Sequence, residues 1–309
     1  MNRRLQAKRR VNLRLSLARD KYLWMMIFPV IVFYAIFMYA PMFGLQIAFK
    51  DYRPSGGIWQ SPWVGLEHFR TFFKSYYFER LVRNTVLINV YDVIFGFPAP
   101  ILLALLLNEL RSNAFKRVVQ TVTYLPHFVS LIVLCGMIVD FFSLSGWVND
   151  VILRLGGERI GFLDDAQYFR TLYVASGVWQ EVGWGSIIYL SALSAIDAQL
   201  YEAAEIDGAG RWRKLVSITL PGILSTIIIM LLLRLGRMMN VGAEKVLLLY
   251  NPSTYDTADV ISTFVYRKGL LEANYGYATA VGMFNSVINF AFLVIVNQLS
   301  KRASGVALW

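Results

Sequence analysis

The sequence holds few of the residues from which metal centres and disulfide frameworks are built. Among its 309 residues there is one cysteine, Cys135, and there are two histidines, His68 and His127. A single cysteine excludes an intramolecular disulfide and argues against a cysteine-based metal site, and two histidines exclude a histidine-based zinc motif. We therefore expect neither a bound metal nor a cofactor.

Catalytic motifs are also absent from the sequence. It contains no Gly-x-x-x-x-Gly-Lys-Ser/Thr phosphate loop, no nucleophile elbow and no pair of carboxylates within a single motif. We predict no catalytic residue in this chain, and any use of ATP is expected to take place on a partner protein.

Charged residues are scarce as well. Only 16% of the residues are charged, whereas 57% are hydrophobic and the mean hydropathy is +0.50. Such a chain has more apolar surface than a water-soluble globule can bury, which indicates a lipid bilayer as its solvent. The net charge of +10 could indicate nucleic-acid binding, but eight of the 30 basic residues lie in the first 21 positions, directly before an apolar run. This placement is typical of a cytoplasmic anchor beside anionic lipid, and we expect no nucleic-acid partner.

Long apolar runs dominate the rest of the chain. A bilayer core requires about 20 residues of helix, and six runs meet this requirement: 22–49, 84–108, 117–140, 171–196, 215–235 and 277–299. The sequence thus predicts an all-α polytopic membrane protein with six transmembrane helices, in which 1–21 is a basic cytoplasmic segment, 22–299 the membrane domain and 300–309 a cytoplasmic tail. The first run is too long for a signal-peptide core and is interpreted as a retained span. Prolines within the spans predict kinks that either line a pathway or serve packing alone.

The distribution of basic residues predicts the orientation. The basic N-terminus indicates a cytoplasmic start, and six crossings return the C-terminus to the same side. The segments 109–117 and 197–214 are then also cytoplasmic, and both contain Arg and Lys, whereas 140–170 holds five acids and three bases. The segment 50–83 is the exception to this rule, because it holds six basic residues and three acids.

The segment 197–221, between the fourth and fifth predicted spans, has an unusual pattern. Ala203 and Ala204 share a face of a short helix, Glu202 and Glu205 flank this face, and Gly208 suits the end of the helix because glycine accepts left-handed geometry. A small helix with a smooth face and acidic neighbours is suited to a groove on another protein.

This segment closely resembles the coupling loop of binding-protein-dependent ABC importers, whose pattern is Glu-Ala-Ala, three residues, Gly, nine residues, Ile, one residue and Leu-Pro. Every element is present: Glu202, Ala203, Ala204, Gly208, Ile218, Leu220 and Pro221. The form Asp207-Gly208-Ala209 is typical of sugar permeases. The resemblance implies that residues of this loop couple the chain to an ATPase: Glu202, Ala203, Ala204, Asp207 and Gly208.

The resemblance extends over nearly the whole chain and is nearest to permeases of the maltose-transporter type, especially those for larger oligosaccharides. Two stretches suggest this subgroup, 124–130 and 255–266. It implies a type I importer permease fold in the bacterial cytoplasmic membrane, beside a second homologous permease, two copies of a cytoplasmic ATPase and an extracellular binding protein. The implied cargo is an oligosaccharide. The alternatives are import of a polyamine, phosphate or an amino acid, and a polytopic enzyme acting on lipid-linked sugars.

Candidate pathway residues lie in the third and fourth spans. Sugars are bound by aromatic faces and polar groups, and the fourth span carries Trp179, Glu181 and Trp184. The two rings diverge by about 140°, so at most one is expected to face a pathway. The alternative for each Trp is an interfacial anchor, whereas an intramembrane acid usually faces protein or water. His127, in the 124–130 stretch, is a further candidate.

Arg234 and Arg237 lie near the end of the fifth span at a spacing of three, so they share one helical face. Two guanidiniums facing a pathway would suit a cargo that bears carboxylates, because they bind carboxylates through bidentate contacts. The alternative is that both side chains extend to the outer membrane surface. Asp92, in the second span, is either a pathway residue or a buried structural group.

The segment 256–268 has an apolar stripe that predicts one amphipathic helix, formed by Val260, Ile261, Phe264 and Val265. Asp256 is the expected cap of this helix. The helix is predicted either to meet the binding protein at the outer mouth or to rest on the bilayer.

Overall fold

The computed structural model describes residues 20–307, so that most of the predicted basic segment 1–21 and the end of the predicted tail lie outside the described residues. Apart from one isolated bridge between Lys50 and Trp63, this part of the chain consists of helices and their connections. The all-helical prediction is confirmed.

Five helical stretches are long and apolar enough to cross a membrane: Lys21–Phe49, Tyr77–Glu109, Leu131–Arg154, Arg211–Leu235 and Tyr275–Arg302. The predicted fourth span is the helix Ala166–Ser194, which has 29 residues but a more polar composition. We number the spans one to six in chain order. Successive spans run in opposite directions, so one end of the molecule carries residues 197–214 and is called the loop end. The opposite end is called the far end.

Three of the spans contain a π turn directly before a proline. The turns Ala35–Tyr39, Asp92–Gly96 and Leu215–Thr219 each end two residues before a proline, at positions 41, 98 and 221. Proline has no N–H for the carbonyl one turn earlier, and its ring crowds that carbonyl. A wider turn relieves the crowding without ending the helix. At these three positions the predicted kink takes the form of a local π turn, whereas Pro29 lies inside the α-helix Lys21–Tyr34 and Pro126 lies in the 3-10 turn Leu125–Phe128.

Span three is not one continuous helix. It consists of Asn113–Tyr124 and Leu131–Phe142, joined by the 3-10 turn Leu125–Phe128. The Ser130 side chain accepts a hydrogen bond from the backbone of Val133 and so caps the second half. The break puts non-helical backbone and the side chain of His127 beside the middle of span four.

Span four is the central element of the fold. It packs against the second half of span two and the first half of span three. Buried apolar side chains form three clusters, two of which include residues of span four, and the one near the loop end comprises Ile101, Ala104, Tyr189, Leu193 and Ile223. The other two lie toward the far end and include Phe72, Leu81, Phe169, Val246 and Phe264.

The far end is built from short helices: Gly57–Gln60, Glu67–Lys74, Trp147–Arg154, Ala243–Leu249, Pro252–Thr254, Tyr255–Ala258, Ile261–Tyr266 and Arg267–Leu271. The prediction of one amphipathic helix over 256–268 is wrong, because the chain turns at Asp259 between two helices. Asp256 is not a cap, since Thr254 precedes the first helix and Val260 the second. The predicted apolar stripe is largely buried in the fold.

Candidate functional site

A cavity of about 340 Å³ lies between spans two, four and five and the segment that follows span five. Six of its lining residues are polar or charged: Asn89, Asp92, Glu181, Arg234, Asn240 and Lys245. Its volume lies within the range of about 300–1,000 Å³ that is common for small-molecule sites. We call it the central cavity.

Arg234 reaches across the central cavity to Asp92. The guanidinium binds the carboxylate with two nitrogens, Nε at 2.9 Å and Nη2 at 2.5 Å. Gly96 ends the π turn that carries Asp92, and a Cβ at this position would lie 2.6 Å from both the guanidinium and the carboxylate. Glycine therefore makes room for the ion pair, which joins span two to span five.

Arg237 lies beside the same pair. A second cavity of about 510 Å³ is lined by both Arg234 and Arg237. The helix ends at Leu235, so Arg237 lies in the turn that follows it and not on the helical face that the spacing predicted. Arg237 is exposed. Arg234, in contrast, is not directed to an outer surface, because its guanidinium is held by Asp92.

Three of the predicted candidates form one cluster at the break in span three. His127 Nδ1 lies 3.1 Å from Glu181 Oε2. The His127 ring stacks in parallel on Trp184, with their centroids 4.5 Å apart. Glu181 also lines the central cavity, so the cluster adjoins it. Trp179 is 47% exposed and belongs to the lining of neither the central nor the second cavity.

Lys245 is a cavity residue that the sequence did not single out. It lies in the helix Ala243–Leu249 and is only 7% exposed. Its ammonium donates a hydrogen bond to the backbone oxygen of Tyr173, at 2.9 Å. In the sequence it is a lysine before a short apolar run, a pattern that occurs in many surface helices.

The loop end carries the segment that resembles a coupling loop. The helix Ala198–Ile206 is capped by Asp197, whose side chain accepts a hydrogen bond from the backbone of Gln199 at 2.9 Å. Gly208 has φ +73°, a left-handed conformation that ends the helix and is costly for other residues. Four of the five predicted coupling residues are exposed: Glu202, Ala203, Asp207 and Gly208. Ala204 is partly buried.

Two side-chain contacts fix this helix to span five. Lys214 Nζ lies 2.5 Å from Glu205 Oε1, and Tyr201 Oη lies 2.9 Å from Thr219 Oγ1. The hydrogen bond from Lys214 lowers the pKa of the Glu205 carboxyl below its ordinary value. Because Lys214 and Thr219 both lie at the start of span five, the two contacts join the helix to that span.

A family model described as the binding-protein-dependent transport system inner membrane component matches residues 96–305. The chain belongs to this family. It is therefore a membrane-spanning transport subunit, a permease, and not an enzyme, and the prediction of an importer permease is confirmed.

Relatives and a solved structure agree with this assignment. The permease is 45% identical to Protein LplB of Bacillus subtilis over 93% of this chain and 91% of the relative. It is 42% identical to the polygalacturonan/rhamnogalacturonan transport system permease protein YteP of the same organism, over 96% and 92%. A chain from the crystal structure of a bacterial ABC transporter involved in the import of the acidic polysaccharide alginate superimposes with a TM-score of 0.89. Their sequences are 44% identical, and the match covers 94% of this chain and 99% of the other.

Proposed function

We propose that this permease is one of two related membrane subunits of an importer that moves an acidic oligosaccharide into the cell. A binding protein delivers the cargo at the far end, and two copies of an ATPase act at the loop end. The observation that carries the proposal is the helix Ala198–Ile206, which displays Glu202 and Ala203 at the loop end and is fixed to span five.

The coupling mechanism follows from this construction. Closure of the ATPases moves the permeases only if each loop is held firmly, and charge-assisted hydrogen bonds make such a joint stiff. Glu202 has no ion-pair partner among the described residues, so its carboxylate is free to meet a basic group on the ATPase. The pairs that hold Glu205 and Tyr201 then convert motion of the helix into motion of span five.

The second permease subunit is supported by span one. None of residues 21–47 is buried within this chain, although most of them are apolar. Such a surface requires lipid or another membrane protein to cover it. We assign part of it to a second permease, which completes the pathway around the central cavity.

The orientation is supported by the charge of the loop end. The connections 109–117 and 197–214 and residues 301–302 all lie there, and each carries Lys or Arg. By the positive-inside rule this end is cytoplasmic, and with it the two termini.

The acidic cargo is supported by both chemistry and relatives. The second cavity contains the exposed Arg237, and the central cavity contains the ammonium of Lys245, whereas the guanidinium of Arg234 between them is already held by Asp92. Guanidinium and ammonium groups suit carboxylates. One similar permease is named for polygalacturonan and rhamnogalacturonan, and a similar structure belongs to an importer of an acidic polysaccharide. His127, Glu181 and Trp184 would bind sugar hydroxyls and ring faces beside these cations, and Trp179 remains a weaker candidate.

The proposal is tested with Glu202→Lys in proteoliposomes that contain both permeases and the ATPase, with the binding protein added. A cation at this position meets the basic group expected on the ATPase, and cargo-stimulated ATP hydrolysis and uptake should fall by tenfold or more, about 1.4 kcal/mol.

Glu109→Lys is the matched control, because Glu109 is also an exposed glutamate at the loop end but lies outside the coupling helix. It should leave both activities near the wild-type level. Wild-type coupling in Glu202→Lys, or equal losses in both variants, would contradict the assigned role of the loop.

A further inference from the structure

The central cavity contains an ammonium that no carboxylate of the described residues contacts. Lys245 donates to the backbone oxygen of Tyr173, and its Nζ lies 4.7 Å from the centroid of the Tyr173 ring. Within residues 20–307 no carboxylate lies at ion-pair distance from this ammonium. An ammonium has three donors, and Tyr173 accepts one. Because burial removes the hydration of the ion, an unpaired charge at this place is costly and calls for a compensating group.

The other charges of the cavity are already engaged. Asp92 and Arg234 bind each other through two hydrogen bonds, so this pair has little net charge to offer a ligand. Glu181 lies against His127. Lys245 is therefore the charged group of the lining that remains open to a partner from outside the chain.

We propose that Lys245 binds the carboxylate of an acidic sugar unit as it passes through the central cavity, and thereby sets the preference for acidic over neutral cargo. This inference rests on the proposed function and adds the residue that discriminates. The two donors left on the ammonium match the two oxygens of a carboxylate, and Asn89 and Asn240 offer amides to neighbouring hydroxyls. A neutral sugar would occupy the same space and leave the ammonium without a counter-charge, and an unsatisfied buried group is a strong basis for discrimination.

The test measures uptake of two oligosaccharides of equal length in the reconstituted importer. One contains uronic acids, and the other is its derivative with the carboxyl groups reduced to alcohols. In Lys245→Met the ratio of kcat/KM for the acidic over the neutral cargo should fall by about tenfold or more. Lys245→Gln retains a donor for the Tyr173 oxygen but has no charge, so it should lose the preference to a similar extent. Lys245→Arg keeps the charge and should retain most of the preference.

Lys50 provides the matched control. It is also buried, and its ammonium also donates to a backbone oxygen, that of Ile58 at 2.7 Å, and lies 4.9 Å from an aromatic centroid, that of Trp63. It does not line the central cavity. Lys50→Met therefore reproduces the structural cost of removing a buried lysine, and the ratio should not change.

The outcomes separate the possible roles. An unchanged ratio in Lys245→Met and Lys245→Gln, or equal losses for both cargoes, would show that Lys245 only holds span four, and would overturn the inference. A wild-type importer that takes up the acidic cargo without preference would also overturn it, while leaving the proposed function intact. A wild-type importer that takes up neither oligosaccharide contradicts the proposed function and this inference together.

Discussion

Two Arg–Asp pairs in this permease have the same chemistry and opposite surroundings. At the far end, Arg267 binds Asp259 with two nitrogens at 2.8 and 2.6 Å, and the Asp259 side chain is fully buried. In the central cavity, Arg234 binds Asp92 with similar geometry, but about a third of each side chain is exposed (33% and 35%). The Asp259–Arg267 pair is closed off from solvent, whereas the Asp92–Arg234 pair faces the central cavity.

The two pairs also differ in what they connect. Asp259 and Arg267 are eight residues apart, and Asp259 also accepts a hydrogen bond from Thr263 at 2.8 Å. Asp92 and Arg234 are 142 residues apart and join two spans. The buried Asp259 therefore fixes the turn of its own segment and, through Arg80 at 3.5 Å, joins this segment to span two, whereas the more exposed Asp92–Arg234 pair joins two spans at the edge of a cavity.

The largest effect is expected from Asp259→Asn. The amide has no charge to offset Arg267 or Arg80, whose Nη2 lies 3.5 Å from the carboxylate, and both arginines are largely buried. Removing one partner of a buried pair costs about 3–5 kcal/mol. The variant should show a large drop in apparent Tm in detergent and a low yield of assembled importer.

Asp256→Asn is the control for this change. Asp256 also approaches Arg80, at 3.4 Å, but its side chain is 80% exposed. Exposed pairs contribute about 0–1 kcal/mol, so the shift in Tm should be small. Similar shifts in both variants would contradict the distinction between sealed and open pairs.

Much of the fold was predictable because the bilayer imposes it. The thickness of the hydrocarbon core sets the length of each apolar run, and the runs at 22–49 and 215–235 were found to within a few residues of the observed spans. The coupling helix was predictable because its pattern lies within one short segment. In span three the proline at 126 predicted a kink, but not that one helix ends at Tyr124 and the next begins at Leu131, because this break also depends on packing against span four.

The candidate site was only partly predictable. Arg234 and Glu181 were singled out because ionisable residues are rare within spans, and both line the central cavity. Their partners were not predictable, because a contact over 142 residues leaves no periodic signal in a single sequence. The apolar stripe at 260–265 was predictable from the sequence. The turn at Asp259 was not, because it depends on the carboxylate of Asp259 binding both Arg80 and Arg267.

An intermediate effect is expected in the central cavity. Arg234→Gln and Asp92→Asn each leave a charge unpaired, but water in the cavity solvates it, so each single change should destabilise less than Asp259→Asn. The double variant should lose less unfolding free energy than the two single variants lose together, because its two neutral side chains leave no unpaired charge. The difference, the coupling energy, should be about 0.5–3 kcal/mol. Urea-induced unfolding in mixed micelles measures the free energy of unfolding of the wild type, the two single variants and the double variant, which together form a double-mutant cycle.

Uptake by the same variants shows whether the Arg234–Asp92 pair opens during transport. From the sequence alone, Arg234→Gln is expected to lose the acidic cargo selectively. Since the guanidinium is held by Asp92, we expect instead that both cargoes are affected, whereas Arg237→Gln, which removes an exposed cation from the second cavity, should affect the acidic cargo more. Additive stabilities together with selective loss in Arg234→Gln would show that the pair opens during transport and that Arg234 meets the cargo.

The smallest effect is expected at the pair of Glu205 and Lys214 at the loop end, in which the Glu205 side chain is 70% exposed. Lys214 lowers the pKa of the Glu205 carboxyl from its ordinary value of 4.5. Because the pKa of Glu205 is lowered in the folded protein, the stabilisation from its contact with Lys214 is present above the ordinary pKa and is lost as the pH falls through the lowered pKa.

Lys214→Met should therefore move the Glu205 titration to higher pH, as followed by carboxyl ¹³C NMR of the permease in nanodiscs. The difference between the two titrations should shrink in about 1 M salt, where the Debye screening length is roughly 3 Å. If the Glu205 titration is the same with and without Lys214, or if the difference does not depend on the salt concentration, the contact does not hold the coupling helix in solution.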